Sequence, residues 1–149
     1  MEHLEDLRWL PESVLGKEFS DVPSPICDAA SEAYACYSIR SYRAAILLAR
    51  SVVEAVAKDQ GVTDGSLVVK INTLRERQVI SPLVADTAHE IRYMGNEMAH
   101  GDFVREVTED ECNDVLNFMS VLLESVYQQP AQLSRFREAR ERRSHTDIS

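Results

Sequence analysis

The stretch HEIRYMGNEMAHG, residues 89–101, decides the fold of this chain. Ser81 and Pro82 precede it as an N-cap and a first helical residue, and Gly101 suits a C-terminal cap. The pattern therefore predicts a helix over residues 82–100. At about 100° per residue, small and apolar residues share its packed face: Val84, Ala88, Ile91, Gly95, Met98 and Ala99. Four residues on the opposite face form what we call the polar stripe: His89, Arg92, Asn96 and His100.

Length, composition and charge predict one helical domain. A chain of 149 residues suits a single core. It holds only five glycines and five prolines, which favours helices over a turn-rich β fold. The net charge of -9 disfavours nonspecific nucleic-acid binding. Five arginines nevertheless make the C-terminal tail basic: Arg135, Arg137, Arg140, Arg142 and Arg143.

The cysteine pattern and the N-terminal sequence predict a cytoplasmic protein. The three cysteines include no CxxC pair, which argues against a disulfide framework and a zinc ribbon. The N-terminus has acids and no apolar core, so we expect no signal peptide. No apolar run approaches the roughly 20 residues of a membrane span, so no membrane association is expected. We predict no cofactor, and no metal site, because His89 and His100 have no acidic ligand between them on their face.

The remaining chain predicts an all-α bundle of four to five helices with short connections. We expect an N-terminal arm over residues 1–22, the bundle over residues 23–129, and a basic helix and tail over residues 130–149. Within the bundle, helices are predicted over residues 24–38, 42–60, 67–78 and, from a capping box at Thr108, up to residue 127. Residues 44–49 are apolar on nearly every side, which predicts a helix buried all round.

Two single residues carry further expectations. Gly95 interrupts a helix at a cost of about 1 kcal/mol relative to alanine, which is tolerable where another helix backbone approaches closely. Pro130 is expected to end a loop and to begin the last helix.

The polar stripe has two interpretations. Histidine can move protons near neutral pH, arginine can hold a phosphate through its planar fork of donors, and asparagine can orient either. Those groups are what metal-independent cleavage of a phosphodiester needs. The other interpretation is a solvated helix face, with a histidine near the C-terminal end of the helix dipole.

A resemblance adds to this pattern. Residues 92–101 resemble the R..GN..AH signature of the family called domain of unknown function 4145, which is similar to the HEPN superfamily. Other segments that resemble the family lie between about residues 15 and 130: 19–23, 42–45, 49–56, 67–74 and 108–127. The resemblance implies a HEPN-like helical bundle, a homodimer, and a setting in bacterial or phage conflict systems.

The resemblance also implies a candidate site. Catalytic HEPN proteins are metal-independent RNases in which Arg-polar-x-x-x-His motifs face each other across the dimer. Carried over, His100 is the acid–base residue and Asn96 the polar residue, and the candidate arginine is Arg92, one helical turn before Asn96 on the same face. The family places its arginine directly before the polar residue, where this chain has Gly95.

Two functions therefore stay open. The first is a dimerising, protein-binding or regulatory module in which this helix builds an interface. The second is a metal-independent endoribonuclease, a toxin or defence effector, with RNA as its partner and a composite Arg/His site at the dimer interface.

Overall fold

A computed structural model describes residues 17–101 and 105–148. The chain is all-helical there, as predicted, and these residues form no strand. The helices, in chain order, are α1 (Ser24–Ser38), α2 (Tyr42–Asp59), α3 (Leu67–Glu76), α4 (Pro82–Ala99), α5 (Glu109–Leu123), a π-helical turn (Glu124–Gln128) and α6 (Gln129–Ile148). Most of the predicted N-terminal arm, residues 1–16, lies outside the described residues.

Side-chain caps fix the starts of three helices. Ser66, Ser81 and Thr108 accept hydrogen bonds from the N–H groups three residues on, at 3.5, 3.1 and 3.1 Å. Each cap satisfies a donor that the first helical turn leaves unpaired. The reciprocal half of the predicted capping box is absent from the hydrogen bonds of the described residues, because the Glu111 carboxylate binds Arg105 instead.

Helix α2 lies at the centre of the bundle and packs against α1, α4 and α5. Seven of its residues are buried: Ala45, Ile46, Ala49, Val52, Val53, Val56 and Ala57. The prediction of burial on all sides was wrong, because Ala44 is exposed and Leu47 is 36% exposed. Small and aliphatic residues on this outer face carry no polar signal that would reveal its exposure from sequence.

The chain continues from α5 into α6 without the loop expected before Pro130. The backbone N–H of Gln129 donates to the carbonyl of Glu124, five residues earlier, and so closes a π turn. Pro130 then falls in the first turn of α6, where proline's missing N–H is tolerated. The expected loop was therefore wrong, because a proline near a helix start is compatible with an unbroken rod.

Helix α6 projects from the bundle and is tied to it at its base. Arg135 donates to both carboxylate oxygens of Asp21, at 2.8 and 3.1 Å. The Gln128 side chain donates to the carbonyl of Ser20 at 3.1 Å. These contacts join the segment before α1 to the first turns of α6.

Candidate functional site

Helix α4 carries the predicted site residues along its outer side. Gly95 and Met98 are buried on its packed face, as expected. Ala99 was also expected on that face but is exposed, at the last residue of the helix. Asn96 and His100 are exposed, and Arg92 is half-buried.

Gly95 makes room for a side chain of helix α2. A Cβ atom on Gly95 would lie 2.5 Å from Cδ, 2.7 Å from Cβ and 3.0 Å from Cγ of Arg50. All three distances are shorter than an ordinary contact between carbon atoms. The predicted close approach is therefore present, but it comes from an arginine stem and not from a helix backbone.

Arg50 crosses Gly95 and binds the polar residue beside it. Its Nε donates to Oδ1 of Asn96 at 3.0 Å, and its Nη1 contacts Glu54 at 3.4 Å. The Arg50 side chain is only 28% exposed. We call the arrangement of Arg50, Gly95 and Asn96 the clamp, because it fastens α2 to α4.

Arg92 points elsewhere. Its guanidinium carbon lies 5.0 Å from the centre of the Tyr93 ring, a cation–π geometry. Its Nε is buried without a hydrogen-bond partner among the described residues. Within those residues no hydrogen bond links Arg92, Asn96 and His100 to one another, so the structure joins Asn96 to Arg50 and not to the predicted arginine.

His89, the first residue of the polar stripe, packs against α3. Its Nε2 lies 3.0 Å from Oδ1 of Asn72. Burial lowers the pKa of His89 below its ordinary value, and the nearby Arg92 charge lowers it further. The ring is therefore held in its neutral form more strongly than a solvated histidine.

His100 ends α4 and opens onto a cavity. Its backbone N–H donates to the carbonyl of Glu97 at 3.3 Å. The cavity is about 330 Å³ in volume and is lined by Arg43, Glu97, Met98, His100 and Arg105. Two arginines and a histidine thus surround one space in an otherwise acidic chain.

The two cavity arginines are held from different sides. Arg105 lies 2.6 Å from a Glu97 carboxylate oxygen and 2.8 Å from one of Glu111. Arg43 donates to the backbone carbonyl of Arg105 and lies 3.6 Å from the Met98 sulfur. The carboxylates of Glu97 and Glu111 offset part of the positive charge of Arg105.

Two functional candidates were missed by sequence reasoning, Arg50 and Arg43. Both lie on α2, far along the chain from the stripe residues that they approach. The glycine inside a helix was the available signal for Arg50, because it indicates that something occupies the space of a side chain. No comparable signal marked Arg43.

The described residues contain no group of three or more potential metal-ligating side chains that could hold an ion. In the same part of the chain, none of the helices combines the length and apolar character needed to cross a membrane.

A second exposed feature lies on α6. Leu133 is 48% exposed and Phe136 is 68% exposed, on a helix of 20 residues that projects from the bundle. These are the two large apolar side chains of α6 that are exposed among the described residues.

Comparison with known proteins places this geometry in a family. The family model described as "Domain of unknown function (DUF4145)" matches residues 31–139. The chain belongs to the DUF4145 family. Neither a comparison with curated proteins nor one with solved structures found a match. The DUF4145 match covers helices α2 to α5 completely, together with the clamp and the cavity.

Proposed function

We propose that this DUF4145 domain is a dimerising interaction module and that the clamp braces its bundle. The observation that carries the proposal is helix α6, whose 20 residues expose Leu133 and Phe136. A helix gains most of its stability by burying an apolar face. Among the described residues, no other element of the chain covers Leu133 and Phe136. We therefore propose that a second copy of the chain covers them.

The clamp supports a structural role for the polar stripe. Asn96 is the polar residue that a HEPN-like site would use, yet its carbonyl oxygen already accepts a hydrogen bond from Arg50. Arg92 stacks on Tyr93. Both groups are thus engaged in contacts that stabilise the domain, which favours the module over the enzyme.

The test is the solution mass of the full chain over a range of concentrations. We expect a concentration-dependent dimer that Leu133→Ser with Phe136→Ser weakens by about tenfold or more in Kd, since each apolar side chain loses its burial. The matched control is Leu83→Ser with Ile39→Ser, because these two apolar residues outside α6 are 73% and 57% exposed. A native chain that is monomeric at every concentration would refute the proposal.

A metal-independent RNase is the second candidate, and the cavity favours it. His100 and Arg43 line the same space, which joins an acid–base group to a phosphate-binding fork. The HEPN-like relationship and a place in a bacterial or phage conflict system belong to both candidates, whereas the role of Arg92 at a composite site belongs to this one.

Cleavage of a mixed RNA pool in EDTA separates the two functions. The module leaves the RNA intact. If RNA is cut by the native chain and by His145→Ala, but not by His100→Ala, Arg43→Ala or Arg92→Ala, the RNase is established and the cavity is its site.

A further inference from the structure

Helix α5 presents a regular row of exposed side chains, and α6, which is exposed on every side over residues 132–146, offers a row of matching spacing. On α5 the residues follow spacings of four, three and four, and we call them the acidic stripe: Asp110, Asp114, Asn117 and Val121. On α6 the spacings are three, four and three, and we call the residues the basic stripe: Leu133, Phe136, Arg140 and Arg143. Such spacings near 3.5 are those by which one helix packs along another.

The π turn brings the two stripes to one side of the rod. A turn closed by an i to i+5 hydrogen bond accommodates one residue more than an α-helical turn. Leu133 follows Val121 by twelve positions. Because the π turn absorbs one residue, the chain turns between them through about eleven steps of about 100°, so the two side chains point within about 20° of the same direction. Without the extra residue they would diverge by about 120°.

We infer that two copies of the chain pair antiparallel along the α5–α6 rod, the acidic stripe of each facing the basic stripe of its partner. The inference rests on the proposed function and identifies its surface. In an antiparallel pair with twofold symmetry, the residue numbers of facing residues have a constant sum. The four proposed pairs add to 253 or 254 and so share one register. The pairs are Asp110 with Arg143, Asp114 with Arg140, Asn117 with Phe136, and Val121 with Leu133.

Length and charge both fit this register. The acidic stripe extends over eleven residue steps and the basic stripe over ten. Their lengths along the helix axis are therefore about 16 and 15 Å. Each copy contributes two carboxylates and two guanidinium groups, and twofold symmetry doubles every contact. Among the side chains that the structure describes, those of residues 17–101 and 105–146, these four form no ion pair in their own chain.

The apolar members of the two stripes lie towards the middle of the rod. Val121 and Leu133 are 40% and 48% exposed, and they lie nearest to the twofold axis, which passes near residue 127. The charged pairs lie at the outer ends.

The described ion pair between α6 and the body lies on another side of α6 from the basic stripe. Arg135, which binds Asp21 of the same chain, precedes Arg140 by five residues, or about 140° around α6. The side of α6 that faces the body and the side that carries the basic stripe are therefore different.

A second copy fits this surface better than a nucleic acid does. The arginines of α6 alone suit phosphates, but the π turn places Asp110 and Asp114 on the same side of the rod. Those carboxylates repel a phosphate backbone that follows the rod, whereas an antiparallel copy satisfies both stripes.

The experiment uses two full-length charge-reversal variants, Asp114→Arg and Arg140→Glu, studied alone and mixed. Each variant alone places like charges opposite each other twice per dimer, and we expect its Kd to rise about tenfold or more. An equimolar mixture restores opposite charges at both pairs, so the mixed dimer forms with nearly native affinity. The native dimer also weakens as salt is raised.

Arg142→Glu is the matched control, since this residue lies about 160° from Arg140 around α6 and should leave the dimer intact. A native dimer that neither reversal weakens overturns this interface while the proposed function stands. Variants that dissociate but do not reassociate on mixing overturn the register. A native chain that is always monomeric overturns the proposed function and the interface together.

Discussion

Replacing Gly95 with alanine tests the clamp directly. The new methyl group would lie 2.5 Å from Cδ and 2.7 Å from Cβ of Arg50. The end of the arginine side chain can rotate away, but its Cβ is fixed to the backbone of α2. Helices α2 and α4 must therefore separate by a fraction of an ångström before the methyl group fits.

Two opposing contributions set the magnitude. Overpacking a filled site costs about 1–3 kcal/mol, and the better helix propensity of alanine returns about 1 kcal/mol. Since the Arg50 Cβ cannot move independently, we expect a net loss of about 1–2 kcal/mol in the free energy of unfolding. For a domain of this size that corresponds to a Tm lower by about 3–6 °C.

Thermal and urea unfolding followed by circular dichroism measures this loss. The control is the same substitution in an Arg50→Ala background, where the Cγ and Cδ contacts are gone and Gly95→Ala should cost less. If Gly95→Ala stabilises the native chain by the full helix-propensity gain of about 1 kcal/mol, the close contact has no energetic weight and the reasoning fails.

Three smaller predictions follow from other contacts. Asn96→Ala should lower the free energy of unfolding by about 0.5–1 kcal/mol, whereas Asn96→Asp keeps an acceptor for Arg50 and should lower it less. Equal losses in urea unfolding would contradict a stabilising hydrogen bond between Arg50 and Asn96. Because burial lowers the pKa of His89 in the fold, the unfolded chain binds more protons there. Stability should therefore fall as pH drops through about 6.5, and less so in His89→Gln; identical pH profiles between about 7.5 and 5.5 would show that the fold does not perturb His89. Burial also raises the pKa of the Cys112 thiol to about 12, so iodoacetamide should label it only after unfolding, as located by mass spectrometry; labelling of the native chain would place this thiol in solvent.

Local signals were sufficient for the helices. Ser81 and Thr108 were recognisable as caps, Ser81 from the proline that follows it and Thr108 from its capping box, and the structure gives each the expected bond from the N–H three residues on. A cap and its partner are three residues apart, so the sequence contains the whole interaction.

The clamp could not be predicted from such local signals. Arg50 and Asn96 are 46 residues apart, and only the packing of α2 on α4 brings them together. Periodicity placed Arg92 and Asn96 on one side of one helix, but it gives no information about a side chain arriving from another helix. The π turn is a further example, since Pro130 signals a helix start without showing whether a loop precedes it.

The ion pair between Asp21 and Arg135 holds α6 near one end only, so a small tilt there moves its other end much further. Its 20 residues extend about 30 Å, while Asp21 and Ser20 hold only its first turns. At that length a tilt of about 10° at the base moves the far end by about 5 Å. A ligand that displaces the short segment before α1 would therefore produce a large movement at the C-terminus, and labels placed on Asp28 and Ser144 would report it as a change in distance.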